Sequence, residues 1–189
     1  MARIPAIKRE DLPEDQRHHY DYVAGSRPTV SGPFPILLNS PDVAERIAHV
    51  GTYLRFNDAT LEPTLREVAI LTVARFWDCQ YEWTAHQRIA EATGTRPEAI
   101  TAIREGTAPA GLTEQEALIH NYAKHLLTGH RVPKAVYEPV AAWLGRQGVV
   151  DLTATVGYYS LLACNLNAFE VMPAPDEGPG LLPGAEYGQ

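Results

Sequence analysis

The stretch that decides the fold covers residues 66–86 and reads REVAILTVARFWDCQYEWTAH. Around its first half, apolar residues cover most of the circumference of a helix: Leu65, Val68, Ala69, Leu71, Val73 and Phe76. A helix that is apolar nearly all round is usually a buried, central one. The pattern therefore predicts a central helix over about residues 61–77 that Thr60 caps. A second helix follows it, capped by Asp78 and ended by Gly94.

Helix signals continue on both sides of this pair. We predict further helices over residues 43–56, 97–106, 113–129, 132–144 and 151–169. Ser40-Pro41-Asp42 gives the first an N-cap and a proline in its first turn, and the stretches beginning at Thr95 and Thr113 both fit capping boxes. Gly145 ends one helix and Asp151 caps the last. Alternating strand patterns with Asn-Gly or Asp-Gly turns are lacking, so the sequence predicts an all-α bundle.

The sequence predicts a single helical domain over residues 1–171, with a Pro/Gly-rich tail over 172–189. Residues 25–40 are rich in Pro, Gly and Ser and are predicted to be non-helical, although they contain the apolar cluster FPILL at 34–38. Such a cluster in a loop indicates either a pocket lid or packing onto the protein's own core.

Charge and cysteine content narrow the class of protein. The chain carries 16 Lys and Arg against 23 Asp and Glu, a net charge of −7. An acidic surface disfavours both nucleic acid and anionic membranes, so neither is an expected partner. There are only two cysteines, Cys79 and Cys164, and the N-terminus has no apolar signal segment. We therefore expect a cytoplasmic protein with reduced thiols, in which Cys164, set in an apolar run, is a core residue.

Three reactive side chains follow one another on the second helix. Cys79, Glu82 and His86 are spaced i, i+3 and i+7, which stacks them along one face. Glu67 lies one helix earlier, and a helix hairpin would bring it against that face. A thiol, a carboxylate and an imidazole form a plausible reacting set. Spacing alone leaves a second interpretation open, in which these are a buried cysteine and a helical Glu–His pair.

The same residues carry a family resemblance. Glu67, Cys79 and His86, followed by Ala90 and Gly94, resemble the core motif of the carboxymuconolactone decarboxylase/AhpD-like family, most clearly over residues 42–128. The segments around 157–159 and 165–171 also resemble its longer branch. The resemblance implies an all-α fold, an obligate homo-oligomer (a homotrimer or hexamer), pockets near subunit contacts, and no metal or other cofactor.

The resemblance implies two chemistries. AhpD-type peroxidases use a Cys-x-x-Cys pair, but here Glu82 stands at the second cysteine position and Tyr81 at an intervening histidine position. A carboxylate cannot resolve a sulfenic acid into a disulfide. The decarboxylases carry a glutamate four residues before the histidine, which Glu82 and His86 match, and an upstream glutamate, which Glu67 matches.

Our leading hypothesis is cofactor-free acid/base chemistry on a small unsaturated carboxylic acid or lactone. His86 would move the proton, with Glu82 as its partner and Glu67 as the orienting carboxylate. Further residues are expected to line or bind at the pocket: Cys79, Tyr81, Trp83, Arg66 and Arg75. One alternative is a hydroperoxidase that uses Cys79 with an external thiol, and another is a noncatalytic oligomeric binding protein. His18 and His19, in a polar early helix, are expected to be solvated.

Overall fold

The computed structural model describes residues 2–56, 61–174 and 182. Within them the chain forms eight α-helices: α1 Arg17–Gly25, α2 Phe34–Leu37, α3 Pro41–Phe56, α4 Pro63–Phe76, α5 Gln80–Thr93, α6 Pro97–Arg104, α7 Glu114–Gly129 and α8 Lys134–Ala168. Two short 3₁₀ turns, Arg9–Asp11 and Glu14–Gln16, precede α1. The described residues contain no strand, which confirms the all-α prediction. Thr60 and most of the predicted tail lie outside the described residues.

Helix α4 lies at the centre of the bundle. It packs against α5, α6, α7 and α8. From Leu65 to Ala74, every residue of α4 except Arg66 is buried. These buried residues are Leu65, Glu67, Val68, Ala69, Ile70, Leu71, Thr72, Val73 and Ala74. The near-continuous apolar run predicted this position. A charged residue within such a helix, Glu67, must therefore find a partner inside the protein.

The connection between α4 and α5 differs from the prediction. Asp78 has a left-handed backbone, with φ 46°, and pairs with Arg75 instead of capping α5. Cys79 is the residue before the helix, and its N–H donates to the carbonyl oxygen of Ala74 (2.9 Å). This tight reversal packs α5 directly on α4. Helix α5 ends at Gly94, as predicted, where φ is 87°.

Only one of the two predicted capping boxes forms. Thr113 accepts from the N–H of Glu116, whose carboxylate in turn accepts from the N–H of Thr113 (2.7 Å). At the start of α6 the N-cap residue is Arg96, which makes no side-chain cap bond. Thr95 is one position too early, and its hydroxyl donates instead to the carbonyl oxygen of Thr64 (3.4 Å). That bond ties the start of α6 to α4.

The two C-terminal helices predicted over residues 132–144 and 151–169 form one helix, α8, in the structure. Gly145 breaks it with φ 69° and ψ −177°, where the sequence predicted a stop. The helix resumes at once, however, so Asp151 is buried inside it and does not cap a new one. The hydroxyl of Tyr53 on α3 donates to Asp151 Oδ1 (3.2 Å), which links α3 to α8.

The length and composition of α8 would also suit a membrane span. Mean hydropathy over its most apolar 18 residues is 1.2, and 56% of that window is buried within the fold. It packs against α3, α4 and α7. Those features are typical of the core helix of a bundle.

Residues 25–40 are only partly irregular. The apolar cluster forms the short helix α2, and its members Phe34, Ile36, Leu37 and Leu38 are buried. The prediction of a wholly non-helical segment was therefore wrong, because apolar burial overrides the prolines that flank this turn. Residues between α1 and α2 line a cavity together with residues of α3, α5 and α8.

Candidate active site

The imidazole of His86 lies between two glutamates. Its Nδ1 is 2.7 Å from Glu67 Oε2, on α4, and its Nε2 is 3.3 Å from Glu82 Oε2, one turn earlier on α5. Only the contact with Glu67 has hydrogen-bond geometry. All three side chains are nearly inaccessible to solvent. The α4–α5 hairpin thus places Glu67 against His86, as the sequence suggested.

These contacts fix what each ring nitrogen can do. A carboxylate can only accept a hydrogen bond, so an ionised Glu67 requires the proton on Nδ1. Nε2 of neutral His86 is then a free base that faces Glu82. A carboxylate that accepts from Nδ1 in this way fixes the tautomer and the orientation of the ring. Nε2 is therefore the atom of this site that can take up and release a proton.

Glu82 has an electrostatic environment unlike that of a surface glutamate. Burial raises the pKa of its carboxyl group, and the charge of Glu67 raises it further. His86 and Arg55 act in the opposite direction. Burial is the largest cause, so Glu82 holds its proton to higher pH than an exposed glutamate does. When it is protonated, a carboxyl group beside a basic nitrogen can act as a general acid.

The His86–Glu82 pair opens onto a cavity of about 230 Å³. Its walls come from the segment before α2, from α3, from α5 and from α8. Aromatic and apolar groups form most of its surface: Phe34, Phe56, Tyr81, Tyr158, Tyr159 and Leu162. The ring of Tyr159 meets the ring of His86 edge to face, with centroids 4.9 Å apart. A cavity of this size suits a small organic molecule.

Arg27 is one of two arginines among the described residues that line this cavity. Its guanidinium lies over the ring of Phe34, 3.6 Å from the centroid, and its Nε donates to the carbonyl oxygen of Val23 (3.2 Å). Burial lowers the pKa of Arg27, while its hydrogen bond and charge interaction with Tyr158 raise it. An arginine retains its charge in such surroundings. The guanidinium is thus held in place by an aromatic face, a carbonyl and a phenol.

Arg55, on α3, is the second cation. Its charge lowers the pKa of Glu82, and it also opposes the burial that raises the pKa of Tyr159. Burial raises the pKa of Tyr158 to about 12, against the opposing charges of Arg27 and Arg55. Both tyrosines are therefore neutral donors near neutral pH. Together the two arginines give the cavity a positive region next to the proton-transfer pair.

A glycine allows α3 to approach this region closely. Gly51 lies beneath the phenol of Tyr158, and a Cβ atom there would come within 2.1 Å of the hydroxyl oxygen. A side chain at position 51 would therefore force the phenol of Tyr158 to move. Gly51 in the middle of a helix costs about 1 kcal/mol relative to alanine, so its benefit here lies in the packing of Tyr158.

The structure distributes the other expected pocket residues differently. Tyr81 lines the cavity. Trp83 is fully buried and is not among the lining residues, and its Nε1 donates to Gln87 Oε1 (2.8 Å). Arg75 lies elsewhere, where it donates to the carbonyl oxygen of Arg104 (2.9 Å) and lines a second, smaller cavity of about 130 Å³. Arg66 is half-buried on α4 and is not among the residues that line the active cavity. Arg27 and Arg55 thus occupy the place that we expected Arg66 and Arg75 to take.

Cys79 does not share the cavity surface with Glu82 and His86. Its thiol packs with Ala163 and Leu166 of α8 in a small separate cluster. Burial raises the pKa of Cys79 to about 12, and the charge of Glu82 adds to this, although the backbone N–H groups of Glu82 and Tyr81 oppose it. A buried thiol with such a pKa is almost wholly protonated at neutral pH.

Cys164 is exposed, so the prediction of a core cysteine was wrong. It follows Ala163 on α8, and its charge adds to the raised pKa of Cys79. The two sulfurs are therefore close enough to interact electrostatically, a proximity that the sequence did not predict. Both thiols are free.

Selective thiol labelling tests this arrangement. With an aromatic disulfide reagent at pH 7, we expect Cys164 to react at once and Cys79 to react only after denaturation. A pKa of about 12 instead of 9.0 lowers the thiolate fraction of Cys79 roughly a thousandfold. In Cys164→Ser the native protein should show no fast phase. A fast phase that persists in Cys164→Ser would instead reveal an accessible, reactive Cys79.

Sequence reasoning missed four cavity residues: Arg27, Arg55, Tyr158 and Tyr159. They come from three distant parts of the chain, and only the fold brings them together. Two signals pointed towards them. The apolar cluster before α3 suggests a pocket element, and Tyr158 and Tyr159 lie in a segment that resembles the longer branch of the family.

Comparison with known proteins finds one family model and several solved structures that this chain resembles. Residues 41–124 match the Carboxymuconolactone decarboxylase family. The fold matches a Ralstonia eutropha JMP134 protein described as "alkylhydroperoxidase AhpD core: uncharacterized peroxidase-related protein", with 20% identity and a TM-score of 0.75. A Silicibacter sp. TM1040 "uncharacterized peroxidase-related protein" matches with 14% identity and a TM-score of 0.70. Each match covers 92% of this chain and 93% of the other. No curated protein matches it.

Proposed function

Since residues 41–124 of this chain carry a segment of the carboxymuconolactone decarboxylase family, we propose that it is an enzyme of acid/base chemistry acting on a small unsaturated carboxylic acid or carboxylated lactone. The observation that carries the proposal is His86, held by Glu67 and facing a buried Glu82 at the edge of a cavity. No part of this set depends on a thiolate. Family members carry out more than one reaction, so the claim rests on the geometry of the site.

The pair could serve either of two proton-transfer reactions. In decarboxylation the bond to the carboxylate breaks, CO₂ leaves, and the electron pair moves into the neighbouring carbonyl as an enolate. The enolate carbon then takes the proton held between His86 Nε2 and Glu82. In isomerisation Nε2 removes a proton from one carbon and the pair returns it to another. Both routes need stabilisation of a developing negative charge.

The two arginines supply that stabilisation. Arg27 and Arg55 line the same cavity as His86, and a guanidinium binds a carboxylate through two parallel hydrogen bonds. The neutral hydroxyls of Tyr158 and Tyr159 add donors that need no deprotonation. This surface favours an anionic ligand over a neutral or cationic one. The aromatic walls suit a flat, unsaturated body.

Replacing Arg55 tests the anionic substrate. We expect Arg55→Gln to raise KM for a carboxylated substrate by roughly 10- to 100-fold, because a charge-assisted hydrogen bond is lost. Arg75→Gln is the matched control, since Arg75 lies on another face and pairs with Asp78. Steady-state kinetics on both variants would measure the difference. Equal effects in the two variants would contradict a role for Arg55 in binding.

The reaction class can be found with a substrate panel in heavy water. Carboxylated lactones and unsaturated mono- and diacids are incubated in D₂O, and products are read by mass spectrometry. Decarboxylation releases CO₂ and places one solvent deuteron on carbon. Isomerisation releases no CO₂ and gives a product with the mass of the substrate, or one unit heavier where the removed proton exchanges with D₂O before it is returned. A panel that stabilises the protein against heat without any conversion would favour the noncatalytic binding alternative.

The second candidate is a hydroperoxidase. It is favoured by the fold shared with two peroxidase-related proteins and by the proximity of Cys164 to Cys79. The buried, protonated Cys79 opposes it. Consumption of an organic hydroperoxide with excess dithiol, compared between wild type, Cys79→Ser and His86→Asn, separates the candidates. Turnover that disappears in Cys79→Ser would establish the peroxidase and displace the acid/base proposal.

A further inference from the structure

Helices α1 and α3 bring together a group of metal-binding side chains remote in sequence from His86. We propose that His18, His19 and Glu45 form a binding site for a divalent transition-metal ion, with zinc as the best fit. One donor atom of each residue lies within 4.8 Å of the others. The proposal concerns a second site and does not depend on the reaction class proposed above.

The distances already approach those of a metal site. His19 Nδ1 lies 2.5 Å from Glu45 Oε2, and the rings of His18 and His19 have centroids 3.9 Å apart. Zinc holds nitrogen and oxygen ligands at about 2.0–2.2 Å, so tetrahedral ligand atoms lie about 3.3 Å from one another. His18 is exposed, and His19 and Glu45 are partly so. Donor atoms that are up to 4.8 Å apart would have to approach one another by up to about 1.5 Å to reach this separation, and partly exposed side chains have room to do so.

His49 adjoins this group, although it is not among the residues whose donor atoms lie within 4.8 Å of one another. His49 Nε2 is 3.7 Å from Glu45 Oε1, one turn further along α3. Its other ring nitrogen, Nδ1, lies 2.8 Å from the hydroxyl oxygen of Tyr22, and the two rings stack. Histidine ligands commonly donate their second ring N–H to such a partner, which orients the ring. Tyr22 thus holds His49 with Nε2 directed towards Glu45.

The donor types select the ion. Imidazole nitrogens with one carboxylate suit zinc, nickel or cobalt, whereas magnesium and calcium prefer oxygen ligands alone. Metal binding would replace the hydrogen bond between His19 and Glu45 with two bonds to the ion. His19 hydrogen-bonding lowers the pKa of Glu45, which keeps this carboxylate ionised.

The position of the site suggests an effect on the cavity. A metal ion bound to residues from both helices would fasten α1 to α3. Arg27 follows the end of α1, and Gly51 and Arg55 lie on α3. These residues form one side of the active cavity. A fastened pair of helices would hold the two arginines at a fixed separation.

Calorimetric titration of chelator-treated, full-length protein with zinc chloride tests the site. We expect one ion per chain with micromolar or tighter affinity, and a higher Tm in zinc than in chelator. Magnesium chloride should give neither effect. His19→Ala and Glu45→Gln should each weaken zinc binding at least tenfold. His125→Ala, which changes an exposed histidine on α7, is the control and should bind as wild type does.

Two further comparisons make the result decisive. Glu45→Gln retains the size and shape of the side chain, so a melting curve in chelator that matches wild type would exclude misfolding as the cause of lost binding. Cys164→Ser removes the exposed thiol, which could itself bind zinc. The proposal is overturned if wild type binds no zinc, if His19→Ala and Glu45→Gln bind it as wild type does, or if binding is lost in Cys164→Ser.

Discussion

His86→Asn should lower kcat by roughly 10²- to 10⁴-fold while leaving the fold intact, because it removes the nitrogen that transfers the proton. Asparagine can still donate an amide hydrogen to Glu67 from near the former position of Nδ1. The buried Glu67 therefore keeps a hydrogen-bond partner. Without one, its burial would lower the stability of the fold. Substrate turnover and the thermal melting curve, measured on the same preparation, separate the two effects.

The matched control is His125→Asn, the same substitution at an exposed position on α7. It should retain wild-type kcat and Tm. If His86→Asn retained at least half of the wild-type turnover, proton transfer through Nε2 would be excluded and the thiol-based alternative would gain support. If both activity and Tm fell steeply, His86→Gln would be needed to distinguish lost catalysis from lost structure.

Glu82 adds a pH signature to this prediction. Activity that needs its proton is complete below the folded-state pKa and is lost as pH rises through it. Burial raises that pKa, so this limb lies above the usual glutamate value of about 4.3. Glu82→Gln carries a permanently neutral group and should remove the limb, at the cost of a lower kcat. An unchanged pH profile of kcat/KM in Glu82→Gln would assign the limb to another group.

Trp83→Ala should lower the free energy of unfolding by about 3–5 kcal/mol, since it empties a fully buried indole site. The change also removes the hydrogen bond donated to Gln87. For a chain of this length, that loss corresponds to a Tm lower by roughly 6–20 °C. Trp143→Ala makes the same change at a side chain that is 36% exposed, and should cost less than about 1 kcal/mol.

Urea unfolding followed by circular dichroism measures both variants. A Trp83→Ala protein as stable as Trp143→Ala would mean that the core beside His86 can collapse into the empty space. In that case the residues around the cavity would rearrange more easily than the close packing of α4 and α5 indicates.

The central part of the site could be predicted because it depends on local rules. Glu82 and His86 are one helical turn apart, and the apolar run of α4 predicts that Glu67 is buried against them. The reversal at Asp78 could not be foreseen, since an aspartate before a helix usually caps it. Its left-handed backbone and its ion pair with Arg75 follow from the tight packing of α5 on α4.

The cations of the cavity depend on tertiary structure. Arg27 precedes a segment rich in proline and glycine, and its role arises from its stacking on Phe34 once α2 has folded onto the core. Arg55 stands near the end of an ordinary amphipathic helix. Neither has a local signal that distinguishes it from Arg66 or Arg75. Gly145 is a similar case. The sequence correctly predicts that the helix is interrupted there, but the immediate return to helix depends on packing against α3 and α4.

The contact between Gly51 and Tyr158 also limits how this protein can diverge. In an evolving lineage, any residue with a side chain at position 51 would turn the phenol aside, since the Cβ would lie 2.1 Å from its oxygen. The same change would take from Arg27 the hydroxyl that helps to hold it. A substitution of Gly51 would therefore change the volume of the cavity and the placement of its positive charge at the same time.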